Sequence, residues 1–310
     1  MIGKRKWKIP GTGKQIFGMG PGTEASTERA LVIGEAMIQN LLTGRTPQSS
    51  PLQVARQLQE LNISTQFVTR VGDDDDGHII LSHIDQNGLD TFHIQRDRTH
   101  PTASIETDNA RDGEGYNQPV VPRAAFDFIE FDSFIPFAQS ESLLIYFDSL
   151  IQRNHASRKR FHQFLEQIPE TAICTYDMNL YPECCKRELI IPSLQRADLL
   201  ILSEDELTVI GELMGAPPGI DYLAQSIMDI FEITQIAITR GTAGSILYTP
   251  QGCYSQRPTR FGRSTNIDSG QAAATFAAMI SDCFLKQVPP KKSVKRATKR
   301  AENYRAPLSP

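Results

Sequence analysis

Two segments of the sequence contain residues that commonly bind phosphate or metal ions, but neither has the required spacing. The segment GTGK at 11–14 lacks a glycine five residues before Gly13 and is followed by Gln15 rather than Ser or Thr, so it does not match a phosphate-binding loop. The run Asp73–Asp76 precedes Gly77, but a calcium loop would need acids at further fixed positions. We interpret this run as a solvated loop.

The histidines and cysteines also lack the spacing of metal or redox sites. His78, His83 and His93 do not recur at the intervals of metal ligands. The five cysteines are odd in number and contain no C-x-x-C pair; they are Cys174, Cys184, Cys185, Cys253 and Cys283. We expect reduced thiols, and therefore a cytoplasmic or other reducing intracellular compartment.

The net charge of −4 conceals two strongly basic ends. Residues 1–14 contain five basic residues and no acid, and residues 286–310 contain eight basic residues and one acid. We predict a flexible basic arm over 1–28 and a basic C-terminal tail over 288–310. Such tails either remain solvated or contact nucleic acid, acidic proteins or membranes. Since no apolar run approaches the roughly 18 to 20 residues of a membrane span, we expect no membrane role.

Short apolar runs alternate with helix-like segments along most of the chain. ALVIGEAMI at 30–38 resembles a buried strand, whereas PLQVARQLQELN at 51–62 places apolar residues at helical spacing. The alternation resumes after residue 125 and predicts an α/β fold. From about 90 to 125, turn-rich segments instead predict a small antiparallel ribbon. Pro289-Pro290 predicts the end of the fold.

Eight segments, in order and spacing, resemble a ribokinase/PfkB sugar kinase, and the fructokinase branch is the most similar. They are GEAMI (34–38), PLQVARQLQEL (51–61), RVGDDDDG (70–77), the GLDT and PT ribbon (88–102), YDMN (176–179), LILSEDEL (200–207), ITRGTAGS (238–245) and IDSGQAAATFAA (267–278). The resemblance implies a three-layer α/β/α fold over 29–287, with a central mostly parallel sheet and a small β lid at roughly 40–46 and 90–125. It also implies phosphoryl transfer from ATP, with Mg²⁺, to a sugar hydroxyl.

In this family, the motif D-T-x-G-A-G-D-x-F supplies the catalytic aspartate, and the helix amides beside it receive the transferred phosphate. The motif matches residues 268–276 without a gap and places Ala274 at the position of the base. A register shifted by one residue would anchor Gly270 on the first phosphate-contacting glycine and place Ala273 there. Neither register supplies a carboxylate, and the next acid, Asp282, lies too far along the helix. We therefore expect no catalytic residue.

The sugar-binding segments depart from the family pattern in a similar way. The resemblance places Gln39 where an aspartate accepts hydrogen bonds from sugar hydroxyls, and Gln53 where an asparagine stands. Asp177 and Asn179 match the D-x-N-x-R segment, but Tyr181 replaces its arginine. These residues would form a degenerate substrate site.

Two segments match the nucleotide-binding part of the family. Glu206 is retained in the N-x-x-E segment, associated with magnesium and phosphate, whereas Ser203 replaces its asparagine. Glu206 is either a weak metal and cofactor ligand or an acid that stabilises a helix N-terminus. In ITRGTAGS, Thr239, Gly241 and Gly244 either approach the ATP phosphates and ribose or form an ordinary hairpin turn.

These departures predict a catalytically impaired or inactive pseudokinase that acts through a protein partner. One alternative is an active ATP-dependent, fructokinase-like kinase in which Asp268, Asp177 or Glu206 serves as a relocated base. Another is a nucleotide or sugar sensor without turnover. Because lid strands of this family pair between subunits, a homodimer through the lid is a further expectation, and the basic tails could contact nucleic acid.

Overall fold

The computed structural model describes residues 28–41, 44–106, 122–139, 143–258 and 269–302. The strands are β1 (Arg29–Ile33), β2 (Met37–Leu41), β3 (Gly44–Gln48), β4 (Ser64–Val68), β5 (Arg70–Gly72), β6 (Gln95–Asp97), β7 (Ala103–Glu106), β8 (Leu143–Asp148), β9 (Ile173–Asp177), β10 (Leu199–Ser203), β11 (Gln235–Thr239), β12 (Ser245–Thr249) and β13 (Gly252–Gln256). The α-helices are α1 (Ser50–Glu60), α2 (Asp75–Gln86), α3 (Ile135–Ala138), α4 (His155–Gln167), α5 (Arg187–Arg196), α6 (Glu204–Met214), α7 (Ile220–Phe231), α8 (Ser269–Leu285) and α9 (Pro290–Glu302).

An eight-stranded sheet forms the middle layer, in the order β13-β12-β11-β10-β9-β8-β1-β4. The strands from β4 to β11 pair in parallel, and β12 and β13 add an antiparallel edge. Successive residues of β1 face opposite sides: Leu31 and Ile33 belong to one core cluster, Ala30 and Val32 to the other. Helices α4 to α7 cover the first face and α1, α2, α8 and α9 the second. The predicted three-layer α/β/α fold is confirmed.

A smaller sheet of β3, β2 and β7 projects from the main sheet and forms the lid. We place its strands at 37–48 and 103–106, which differs from the predicted 40–46 and 90–125. The prediction of antiparallel pairing from 90 onward is wrong for the described strands, since β7 pairs in parallel with β2 and β6 in parallel with β5. Within the lid, β2 and β3 are antiparallel because they are connected by a short turn, whereas β7 belongs to a distant part of the chain and pairs in parallel. Residues 107–121 lie outside the described residues.

The segment after Pro289-Pro290 is folded, which corrects the prediction of a tail from residue 288. Helix α9 buries Val294 and Ala297, each at most 1 % exposed, and contacts α8, β12 and β13. Ser245 and Thr298 also share a 2.6 Å hydrogen bond between their hydroxyl groups. The fold therefore extends at least to Glu302. The predicted arm over 1–28 lies outside the described residues except for residue 28.

The acidic run Asp73–Asp76 leads into the first turn of α2 and is more structured than the solvated loop we expected. Asp74 caps α2 by accepting a 2.8 Å bond from the Gly77 amide, and its carboxylate also accepts bonds from the amide and the hydroxyl of Thr102. The Thr102 hydroxyl in turn accepts a 2.8 Å bond from the Gly72 amide. This cluster joins the β5–α2 turn to the segment that enters β7.

No helix among the described residues is long and apolar enough to cross a membrane.

Candidate functional site

Polar residues gather where the parallel strands of the main sheet end. Asp148, Asp177, Ser203 and Thr239 are the last residues of β8, β9, β10 and β11, which are successive neighbours in the sheet. Glu35 follows β1, the next strand across. Ligands of open α/β sheets bind beyond this carboxyl edge. We therefore take this edge, together with the lid above it, as the candidate site.

Asp177 and Asn179 lie at the centre of this edge. The Tyr146 hydroxyl donates a 2.5 Å hydrogen bond to Oδ2 of Asp177. Burial raises the pKa of Asp177 to about 8, with Glu206 and Asp148 adding repulsion and the bond from Tyr146 acting in the opposite direction. Asn179 adopts a positive φ of 35° and directs Nδ2 to Asp148, 3.3 Å from Oδ2. Asn179 is therefore hydrogen-bonded to Asp148, and Asp177 lies close enough to Asp148 to experience its charge. We call Asp177, Asp148 and their neighbour Glu35 the carboxyl cluster.

Glu206 closes the N-terminus of α6. Its Oε1 accepts a 2.6 Å bond from the Leu180 amide, and its Oε2 accepts a 2.7 Å bond from the Ser203 amide. The Ser203 hydroxyl accepts from the Glu206 amide in return, which completes a capping box. This geometry supports the interpretation of Glu206 as a helix-capping acid. No cluster of three His, Cys, Asp or Glu side chains suited to a metal ion occurs among the described residues.

Two members of the carboxyl cluster, Glu35 and Asp148, form a buried pair. Both residues are fully buried, and neither oxygen of Glu35 meets a hydrogen-bond donor. Burial, reinforced by the charge of Asp148, raises the pKa of Glu35 well above its usual range. A protonated Glu35 can donate to Asp148, whereas two charged groups would both lack solvation. Burial also raises the pKa of Asp148, although the bonds that it accepts from Asn179 and from the Leu150 amide oppose that rise.

The sequence analysis missed this pair. The signal was available, since Glu35 and Asp148 each follow a run of apolar strand residues, where a carboxyl group is unusual. The backbone around Glu35 is also tightly held. The Ser49 hydroxyl donates to its carbonyl oxygen at 2.5 Å while capping α1, and a Cβ on Gly34 would lie 2.2 Å from Pro51.

The first turns of α8 place the two alternative base positions very differently. Ala274 is fully buried among the apolar residues of the second core cluster, whereas Ala273 and Gly270 are exposed. Asp268 lies outside the described residues. Asp282 forms a 2.6 Å ion pair with Lys286 near the other end of the helix. At 1.5 Å per residue it lies about 12 Å from Ala274 along the axis, as the sequence analysis expected.

The glycine turn after β11 has the geometry of a hairpin. Gly241 and Gly244 have φ angles of 50° and 95°, and the turn connects β11 to the antiparallel strand β12. A Cβ on Gly244 would lie 2.1 Å from the Gln256 carbonyl oxygen, whereas a Cβ on Gly241 would meet no atom within 4 Å. Thr239 donates a 3.5 Å hydrogen bond to the Leu202 carbonyl. The local structure is thus a hairpin whose exposed Gly241 leaves room for a ligand.

The two glutamines of the predicted substrate set lie apart from the carboxyl cluster. Gln53 accepts hydrogen bonds from Nε and Nη2 of Arg56, one turn along its own helix, at 3.3 and 3.2 Å. Gln39 is half-buried in the lid, where it pairs in register with Thr46 and Ile105. Asp177 and Asn179 therefore lie on the segment 177–180, and the Leu180 amide at its end binds Glu206. Both glutamines lie on other elements.

Comparisons with known proteins agree with this architecture. The fructokinase of Escherichia coli is 26 % identical over 260 residues, which cover 80 % of this chain and 81 % of that protein. The fructokinase of Vibrio alginolyticus is 24 % identical over 224 residues, or 69 % of this chain and 71 % of the relative.

Solved structures show the same fold at lower identity. A fructokinase double mutant of Vibrio cholerae O395, with fructose, ADP and potassium ion bound, has a TM-score of 0.76 at 22 % identity, covering 90 % of this chain and 91 % of that one. Aminoimidazole riboside kinase of Salmonella enterica, complexed with aminoimidazole riboside and an ATP analogue, has a TM-score of 0.73 at 19 % identity. The match covers 89 % of this chain and 91 % of that one. The model of the pfkB family carbohydrate kinases matches residues 50–302. This chain therefore belongs to the pfkB family of carbohydrate kinases.

Proposed function

We propose that this chain is a fructokinase-like pseudokinase, in which phosphoryl transfer is severely impaired and which acts by binding a partner. The observation that carries the proposal is the start of α8, where Ala274 occupies the expected position of the base and is fully buried in an apolar core. The neighbouring position, Ala273, is exposed but carries no ionisable group either.

The other carboxyl groups near the site are already engaged. Both oxygens of Glu206 accept backbone amides, and Glu35 and Asp148 are fully buried against each other. A general base must come within about 3 Å of the proton that it removes. None of these three groups is both exposed and free to do so.

The expected loss of activity is large. A positioned base contributes typically about 10² to 10⁴ in rate, so its absence alone is enough to make transfer slow.

Residual nucleotide binding is part of the proposal. The solved relatives that contain ADP or an ATP analogue share this fold, and the exposed turn at Gly241 leaves space at the end of β11. We propose that this turn and the amides around Gly270 contact the phosphates of ATP. Any Mg²⁺ would then be held chiefly by the phosphates themselves.

Asp177 supports one competing function, that of an active sugar kinase with a relocated base. A pKa of about 8 lies near the optimum for a general base at neutral pH. Its Oδ2 is occupied by Tyr146, so transfer of a sugar proton would have to use Oδ1.

Titration calorimetry with Mg-ATP and with a non-hydrolysable analogue, followed by product analysis with a panel of hexoses and pentoses, tests the proposal. We expect weak nucleotide binding and no sugar phosphate above the background of a matched preparation of the Asp177→Asn variant. Sugar phosphate that survives repurification and disappears in Asp177→Asn would overturn the pseudokinase assignment and favour the relocated base.

A further inference from the structure

One side of α9 carries a dense row of positive charge. Five residues, Lys291, Lys292, Lys295, Arg296 and Lys299, are all exposed. At 100° per residue they fall within one arc of about 140° on the helix. The buried residues Ser293, Val294, Ala297 and Thr298 occupy the opposite arc. We call these five residues the basic ridge.

The charges of the basic ridge are not neutralised locally. Among the described residues, none of its four lysines forms an ion pair. Arg300, on the flank of the ridge, differs: it hydrogen-bonds Gln57 at 2.9 Å and pairs with Glu60 at 3.0 Å. Helix α9 contains no acid before Glu302, although the whole chain has a net charge of −4. A concentrated positive surface on a net acidic protein indicates an anionic partner.

The fixed geometry of α9 distinguishes the ridge from a flexible basic tail. Because Val294 and Ala297 anchor the helix in the core, the ridge is held in a fixed arrangement along one side of α9. Lys291 and Lys299 are about 12 Å apart along the axis. Over that length a nucleic acid duplex carries about seven phosphate charges, at one per roughly 1.7 Å. The ridge therefore approaches the linear charge density of a duplex backbone.

The composition of α9 also excludes other ways of binding. Its apolar side faces the protein core, so it offers no apolar face for insertion into a lipid surface. It contains no aromatic residue on which a single-stranded base could stack. Contacts from lysines to phosphate oxygens carry no sequence information. We propose that the basic ridge binds the phosphate backbone of double-stranded nucleic acid without sequence preference.

The test is fluorescence anisotropy with a labelled 30-base-pair duplex and the full chain, measured over a series of KCl concentrations. The ridge variant carries Lys292→Gln, Lys295→Gln and Lys299→Gln. The control variant removes the same charge from exposed residues elsewhere, through Arg98→Gln, Lys159→Gln and Lys186→Gln. Each lost phosphate contact should reduce the salt dependence, the slope of log K against log[KCl], by about 0.9.

We expect the slope of the ridge variant to be shallower by about 2.7 and that of the control variant to be unchanged. Two duplexes of unrelated sequence should bind equally. The melting temperature and the Mg-ATP titration should match those of the wild-type chain, so the outcome is independent of whether the kinase site is active. Absence of duplex binding, equal slopes in the two variants, or ridge-dependent binding to phosphatidylserine vesicles but not to the duplex would each overturn the proposal. Equal slopes would place any binding outside the basic ridge.

Discussion

Tyr146 and Asp177 form a 2.5 Å hydrogen bond between a tyrosine hydroxyl and a carboxylate whose neighbouring charges are all negative. The bond lowers the pKa of Asp177, against the larger effect of burial, which raises it to about 8. Substitution Tyr146→Phe removes the donor, so we expect the pKa of Asp177 to rise further. Carboxyl ¹³C chemical shifts recorded from pH 5 to 10 would measure it.

The matched control for that substitution is Tyr176→Phe. Tyr176 lies beside Asp177 in β9, and its hydroxyl shares a 2.7 Å bond with Ser149 rather than with Asp177. The Tyr176→Phe substitution should therefore leave the pKa of Asp177 nearly unchanged. A lower pKa of Asp177 in Tyr146→Phe, or equal shifts in both variants, would contradict the assignment. If the chain is active through Asp177, the acid limb of its pH-rate profile should move in the same direction.

Glu35 predicts a specific dependence of stability on pH. Its pKa is raised on folding, so the folded chain keeps a proton that the unfolded chain releases above about pH 4. The contribution of Glu35 to the free energy of unfolding is therefore greatest at acidic pH and falls as the pH rises towards its raised pKa. Glu35→Gln abolishes this titration, so urea denaturation at pH 5, 6, 7 and 8 should show a shallower decline.

The exposed Glu212→Gln provides the comparison, because it removes a carboxylate from the surface of α6. Its stability should follow that of the wild-type chain at every pH. A decline in Glu35→Gln as steep as that of the wild type would show that the pair with Asp148 does not hold the proton.

Ala273 and Ala274 offer a direct test of the two registers of the α8 motif. Ala274→Asp would place a carboxyl group in an apolar core and should reduce the free energy of unfolding by about 1 to 3 kcal/mol or more. Ala273→Asp faces solvent and should change stability by less than about 0.5 kcal/mol. Thermal and urea denaturation of the two variants would separate these outcomes, and equal losses would refute the described orientation of the helix.

Gly244 and Gly241 differ in what surrounds them, although both have positive φ. Gly244→Ala would bring a Cβ to 2.1 Å from the Gln256 carbonyl and force β13 to move, whereas Gly241→Ala meets only open space. Both variants carry the backbone cost of about 1 kcal/mol or more that a left-handed residue imposes. Gly244→Ala should therefore lower the melting temperature more than Gly241→Ala does. The reverse order would contradict the described turn.

The main sheet could be predicted from the sequence because its strands are buried on both faces and appear as short continuous apolar runs. The ends of α6 could also be predicted from the sequence. Ser203 and Glu206 form a capping box, and Gly215 takes the left-handed conformation that ends the helix. Local patterns of this kind report local structure directly.

The predictions were wrong where distant segments decide the outcome. The parallel pairing of β7 with β2 joins residues more than sixty positions apart, and no local pattern specifies it. Helix α9 was predicted to be a tail because Pro289-Pro290 was interpreted as the end of the fold and the residues after it are strongly basic. The few apolar residues that face the core, Val294, Ala297 and Ala301, were not recognised. Their helical spacing was the available signal.

The buried pair within the carboxyl cluster escaped prediction for a different reason. Glu35 and Asp148 are far apart in the sequence and become neighbours only because β1 and β8 are adjacent in the sheet. Burial raises both pKa values, and the charge of Asp148 raises that of Glu35 further; both effects exist only in the folded chain.

The lid is fastened where each of its three strands leaves the body of the protein. The link into β2 is held by Gly34 beneath Pro51 and by the bond from Ser49 to the carbonyl of Glu35. Strand β3 ends one residue before Ser49, and β7 begins one residue after Thr102, which is bound to Asp74. Mechanically, the small sheet is a cantilever clamped along its whole base, so its displacement under load should be largest at the far end of β2 and β3 and should not come from a hinge at the main sheet.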